Sequence, residues 1–160
     1  MASTTVDTSE ISEGFRRLQQ DAPKVARRMV VAGGGVLRKQ ARANATALGL
    51  KKTGALIKNI VIKRESQAGP GIEQVNLGVR HGRDLTKKQK SVNRLVVTAK
   101  GRIVKRYVDD PFYWHFLEFT TKRRTGTPYL TPTLDQQGAA AIEAMGAVLT
   151  KEIDKQGDSS

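Results

Sequence analysis

Between Ile11 and about Leu48 the chain follows a helical period, with Val25, Met29, Ala32, Val36, Ala43 and Ala47 recurring mostly at three- and four-residue steps. Ser12 or Asp21 can cap, and Pro23 suits a first helical turn, so the spacing predicts a helix from about Asp21 to Leu48. At 1.5 Å per residue such a helix is about 42 Å long. That is about the width of a small domain, so the rest of the chain must be arranged along it. Its opposite face carries Lys24, Arg27, Arg28, Arg38, Lys39 and Arg42. The run Gly33-Gly34-Gly35 lies in its middle, and each interior glycine costs about 1 kcal/mol relative to alanine. Either the helix breaks there, or the missing side chains let another backbone pack close; the reading adopted is a continuous or mildly bent helix. A phosphate-cradling loop does not fit, because no Gly-Lys-Ser/Thr follows and no strand precedes.

Thr53-Gly54 closes the helical region. Four segments rich in Val, Ile or Leu follow as expected strands: Ile57 to Arg64, Glu73 to Val79, Asn93 to Ala99 and Arg102 to Val108. Gly69-Pro70-Gly71 makes a turn, and Lys100-Gly101 reads as a hairpin tip. Residues 81–91 form a polar, basic loop holding Arg83, Lys87, Lys88 and Lys90. Seven of the eight aromatic residues fall between Tyr107 and Tyr129. A short helix over 111–120 would set Phe112, Phe116 and Phe119 on one side, a spacing typical of a core or an interface. Thr125 to Pro132 must be an extended link, since neither proline tolerates a helix interior. A last helix from about Thr133 to Lys155 carries Ile142, Met145, Leu149 and Ile153 as its apolar stripe. Helices, strands, then helices give an α+β fold: a long N-terminal helix, a mostly antiparallel four-stranded sheet, a short aromatic helix and a C-terminal helix. Residues 1–160 form one domain, with 1–10 and 157–160 expected to be flexible.

Charge narrows the partners. The net charge is +13, but residues 1–15 and 109–160 each contribute −3 while residues 16–108 contribute +19. Such a basic block favours polyanions or acidic protein surfaces, and its plainest role is a solvated surface. The chain has no cysteine, which excludes thiol catalysis, disulfide scaffolds and cysteine zinc sites. Uncharged stretches such as Met29 to Leu37 are too short to span a bilayer. The N-terminus lacks the basic and apolar regions of a signal peptide, so synthesis in a cytoplasm and no membrane contact are expected.

Asp109, Asp110, His115 and Glu118 are the acid/base set to test, with Asp110, Glu118 and Lys122 loosely compatible with a metal-dependent nuclease. His115 and Glu118 are three residues apart and share a helix face. Two histidines, with His81 in a separate loop, do not make a histidine-rich zinc site. The set reads better as helix-capping and surface residues, so no catalytic residue, metal or cofactor is expected.

Three ordered elements carry a resemblance. Thr53-Gly54-Ala55-Leu56-Ile57-Lys58-Asn59-Ile60 follows the long helix, Tyr113-Trp114-His115-Phe116-Leu117-Glu118-Phe119-Thr120-Thr121 follows the strands, and Pro128-Tyr129-Leu130-Thr131-Pro132-Thr133-Leu134 opens the last helix. Together, over about residues 10–155, they resemble the tailed-bacteriophage neck and tail-completion proteins that join head to tail, with Thr120 standing where that family often has glycine. The resemblance implies a structural virion protein, not an enzyme, at the head-to-tail junction. It would assemble as a homo-oligomeric ring, of six copies, between the portal-side connector (adaptor or stopper) and the tail tube or tail terminator, with viral DNA passing through the lumen. Tyr113, Trp114, Phe116, Phe119 and Tyr129 are then the expected subunit or partner contacts. Arg83, Lys87, Lys88, Lys90, Lys122, Arg123 and Arg124 are the expected contacts to DNA or to acidic partners. The alternative from another class is a sequence-independent nucleic-acid-binding protein, favoured by the charge and the 81–91 loop but lacking a zinc finger or recognition helix.

Overall fold

A computed structural model describes residues 9–51, 53–65, 69 and 71–157. Residues 1–8 and 158–160, expected to be flexible, lie outside the described residues, whereas Ser9, Glu10 and Gly157 are helical. Helix α1 spans Ser9–Ala47 and α2 spans Ala55–Asn59. The strands β1 (Ile60–Arg64) and β2 (Val75–Val79) follow, then a 3-10 turn at Gly82–Asp84 and α3 (Lys87–Ser91). The strands β3 (Asn93–Val97) and β4 (Ile103–Tyr107), a short α4 (Trp114–Glu118) and α5 (Thr133–Gly157) complete the order. The class is α+β.

The long helix runs unbroken through all three glycines, and two of them show why they are there. A Cβ on Gly33 would lie 2.2 Å from Met145 Cε and 3.1 Å from the Ala141 carbonyl oxygen of α5. One residue on, a Cβ on Gly34 would lie 3.0 Å from Val75 of β2 and 3.3 Å from Ile62 of β1. Adjacent glycines on one helix thus admit α5 on one side and the β1–β2 hairpin on another, and this packing offsets their helix propensity. The helix begins earlier than Asp21, so Pro23 lies in its interior rather than in its first turn, giving up one ladder hydrogen bond.

Ala41 and Ala45, one turn apart near the C-terminal end of α1, are fully buried and bring Leu56, Ile60, Val79, Leu117 and Tyr129 into the core. The alanines leave room for those larger side chains.

Three expectations change. The first expected strand splits: Ala55–Asn59 is helical, entered through Gly54 at φ +70° and closed by Asn59 Nδ2 donating to the Ala55 carbonyl at 2.9 Å. Ile57, running on into the β-branched Ile60 and Val61 of β1, made the end of that helix look extended. Second, the four strands do not form one sheet. The β1 strand pairs antiparallel with β2, and β3 with β4, as two separate hairpins. The β3–β4 hairpin turns through Gly101 with a left-handed backbone, and Gly71, in the β1–β2 connection, is left-handed too. Between them the chain is diverted through the 3-10 turn and α3, so residues 81–91 are largely helical rather than an irregular loop. Third, the side of α5 that packs on α1 is Ala141, Met145 and Val148, whereas Ile142, Leu149 and Ile153 are exposed. Gly33 of α1 takes up Met145 and the Ala141 backbone, and the other three residues of the expected stripe are left exposed.

Candidate partner-binding surfaces

The aromatic segment divides into buried anchors and exposed rings. Tyr113 and Trp114 are half-buried and pack on the core, while Phe112, Phe116 and Phe119 are exposed. Tyr129 has no surface at all, so in the single chain it is a core residue with nothing to offer a partner. Its Oη has no hydrogen-bond partner among the described residues, and burial, with the nearby Glu118 charge and Tyr113 adding to it, pushes the phenol pKa well above its ordinary value. Tyr129→Phe is therefore expected to leave the fold intact and raise stability by about 1 kcal/mol, because a buried hydroxyl without a partner is removed; chemical denaturation monitored by Trp114 fluorescence checks this.

Glu118 is the best-satisfied side chain in the region. Its Oε2 accepts from the backbone N–H groups of Tyr129 (2.9 Å) and Leu130 (3.0 Å), and its Oε1 from the N–H (2.8 Å) and hydroxyl (2.6 Å) of Thr131. Burial pushes this carboxyl up, but the hydrogen bonds from Thr131, Leu130 and Tyr129 outweigh it and hold the group below the ordinary carboxylate range. The carboxylate fixes the link that launches α5, and nothing in that role requires it to move a proton. The link also returns close to α4: a Cβ on Gly126 would meet the Phe119 carbonyl carbon at 2.6 Å and the Thr120 nitrogen at 2.7 Å. Thr120 itself has no left-handed backbone, and its hydroxyl accepts the Gly126 N–H. The close approach that glycine permits is thus made at Gly126.

The rest of the acid/base set is dispersed in role. Asp110 Oδ1 accepts the Gly82 N–H at 3.1 Å, and the ring of His115 stacks against Trp114 with centroids 3.7 Å apart. The structure brings His81 to His115, with centroids 5.4 Å apart, an approach the sequence separation hid. Among the described residues no three His, Asp or Glu side chains gather as a metal site.

The basic residues fall into two positioned groups and a set committed to the fold. Arg83, Lys87 and Lys88 are exposed on the 82–91 segment, with Lys90 half-buried and donating to the Arg83 carbonyl at 2.7 Å. That segment is held by a chain of side-chain bonds: Gln89 and Thr86 form a capping box around α3, and Gln89 Nε2 donates to Asn59 Oδ1 at 2.8 Å. Asn59 is 1% exposed and also donates to the Asp109 carbonyl at 2.9 Å. It positions the basic segment, a role that its place in the Thr53–Ile60 element did not announce. Lys122, Arg123 and Arg124 are exposed on a tight turn closed by Thr121 N–H to the Arg124 carbonyl, and with Phe116 they line one shallow surface hollow. The Arg106 guanidinium lies 5.1 Å from the centre of the Phe112 ring. Arg42 and Arg28, by contrast, are used internally: Arg42 donates to the Ile60 carbonyl at 2.9 Å, and Arg28 pairs with Glu152 of α5 at 2.8 Å.

The β3–β4 hairpin is the barest part of the molecule. Its register places Leu95, Val97 and Ile103 on one face, and they are 72%, 65% and 68% exposed. Among the elements, α3 is the one that packs on this hairpin to any extent. No helix among the described residues is long and apolar enough to cross a membrane, so these apolar faces are not parts of a membrane-spanning helix.

Residues 9–119 match the model of the protein family described as "Bacteriophage HK97-gp10, putative tail-component". No curated protein and no solved structure matches the chain.

Proposed function

The chain belongs to the HK97-gp10-like family of phage tail components, a structural protein of the virion, and from that premise we propose that it forms a ring at the head-to-tail junction. In this reading six copies close a collar between the portal-side connector and the tail tube or terminator, and viral DNA passes through the lumen. The observation that carries the reading is the β3–β4 hairpin. A two-stranded hairpin by itself is marginally stable in water, and this one turns three large aliphatic side chains outward. Burying such a face against a neighbouring subunit is the ordinary way to support it, and head-to-tail contacts between identical chains close into rings.

The exposed rings Phe116 and Phe119, with Lys122, Arg123 and Arg124 beside Phe116, supply a second contact surface suited to an acidic protein partner. The 82–91 cations supply a surface for acidic partners or for phosphates. Acidic protein rings are the principal partners and DNA contact is secondary, since a lumen that gripped DNA tightly would hinder its ejection.

Negative-stain microscopy and mass photometry of the full chain test this. A closed ring is expected, together with weak duplex binding of shallow salt dependence. A monomer that binds duplex DNA tightly, with an affinity falling steeply in salt, would instead make it a sequence-independent nucleic-acid-binding protein.

A further inference from the structure

The hairpin and α5 are complementary surfaces that the single chain does not bring together. The outward side of α5 presents Ile142, Leu149 and Ile153, all at least 40% exposed. Leu149 and Ile153 also line a groove of about 270 Å³ between α5 and α1, whose opposite wall includes Val25 and Met29. Ile142 extends the same stripe two turns toward the N-terminal end of the helix, since residues seven apart return to one face. The charges oppose as well. The α5 helix holds Asp135, Glu143, Glu152 and Asp154 against Lys151 and Lys155. Helical spacing sets Asp135, Glu143 and Asp154 beside the apolar stripe, on the side turned away from the α1-facing Ala141 and Val148. The hairpin, from Asn93 to Tyr107, has five basic residues and no acid. Its apolar face carries Lys105, and its tip carries Lys100 and Arg102.

We infer that the apolar face of the β3–β4 hairpin seats on the α5 stripe of a second copy of this chain. Leu95, Val97 and Ile103 lie against Ile142, Leu149 and Ile153, with the hairpin cations against the flanking carboxylates. The contact is heterologous: each subunit offers its hairpin to one neighbour and its α5 to the other. This deepens the ring reading and rests on it. It also gives α5, which lies beyond the family-matched residues, a role in assembly.

The absence of cysteine makes the test direct. Full-length Val97→Cys and Ile142→Cys proteins are mixed and treated with a short bismaleimide. A crosslinked dimer is expected in at least tenfold excess over either variant alone, and over Val97→Cys mixed with Phe116→Cys. Ile142→Arg, checked for native circular dichroism because the site is on the surface, is expected to require at least tenfold more protein to assemble. Rings of the native chain without the Val97–Ile142 crosslink, or rings of Ile142→Arg at unchanged concentration, would overturn this seat and leave the ring standing. A dimer formed by Val97→Cys alone would overturn it too, by making the hairpin contact symmetric. If the native chain forms no ring at any concentration, the ring reading falls and takes the seat with it.

Discussion

Replacing Glu118 by alanine should destabilise the chain by about 3–5 kcal/mol at neutral pH. Three backbone N–H groups and the Thr131 hydroxyl converge on this one carboxylate. Each buried donor left without an acceptor costs roughly 1–3 kcal/mol, reduced where water can enter the vacated space. Glu118→Gln is the sharper probe, because it keeps one accepting oxygen but aims an amide NH₂ at donors. The wild type should also show an acid dependence that the Gln variant loses in part. The folded-state pKa of Glu118 is depressed, so its contribution is fully present above the unfolded carboxyl value, near 4.5, and is lost as pH falls through the lower folded value. Urea denaturation of wild type and Glu118→Gln between pH 7 and pH 3 measures both effects. Equal stabilities at pH 7 would show that the carboxylate does not organise the link.

Asn59→Ala is the second large effect, expected at about 2–4 kcal/mol. The side chain spans three elements: Nδ2 serves the Ala55 and Asp109 carbonyls and Oδ1 accepts from Gln89. Truncation orphans partners in a site closed to solvent. Because Gln89 also completes the α3 capping box, the damage should reach beyond global stability. Amide exchange at Lys87–Ser91 should accelerate more than exchange in β1 and β2. Uniform acceleration across the chain would mean that Asn59 supports the core without specifically holding the basic segment.

These two residues also mark how far the sequence can be read. Periodicity located α1 and α5 because a long helix repeats its pattern many times. It also left the passage through Gly33-Gly34-Gly35 open to a correct choice, since each alternative had a definite cost. It failed at α2, where Ile57 runs on into the β-branched Ile60 and Val61 of β1 and nothing local announces that Asn59 bonds back to Ala55. It could not separate one four-stranded sheet from two hairpins, because alternation reports which segments are extended and not which of them pair. The α5 stripe was read by size, and of its four residues Met145 is the one that meets Gly33 of α1, while Ile142, Leu149 and Ile153 are exposed. At the candidate surfaces, Tyr129 is expected as an aromatic contact but is buried in the core, while Phe116 and Phe119 are exposed. Leu95, Val97 and Ile103 looked like ordinary strand interior, and only the tertiary structure leaves them bare. The acidic residue in the Tyr113–Thr121 element was visible from the start; its work is to bind backbone N–H groups twelve or so residues along the chain, which no local spacing encodes.

The glycine pair on α1 bears on mechanics as much as on packing. At Gly33 the long helix meets the Ala141 carbonyl and Met145 of α5, and one residue later it meets the β1–β2 hairpin, without a side chain of its own in either contact. Long side chains can yield under load by changing rotamer; with glycine on α1 only the partners Met145, Val75 and Ile62 can do so, and the two β-branched ones are stiff. A push on α5 is therefore passed to the β1–β2 hairpin across less than one turn of α1. For a phage tail component, that couples two faces of the long helix at a single point.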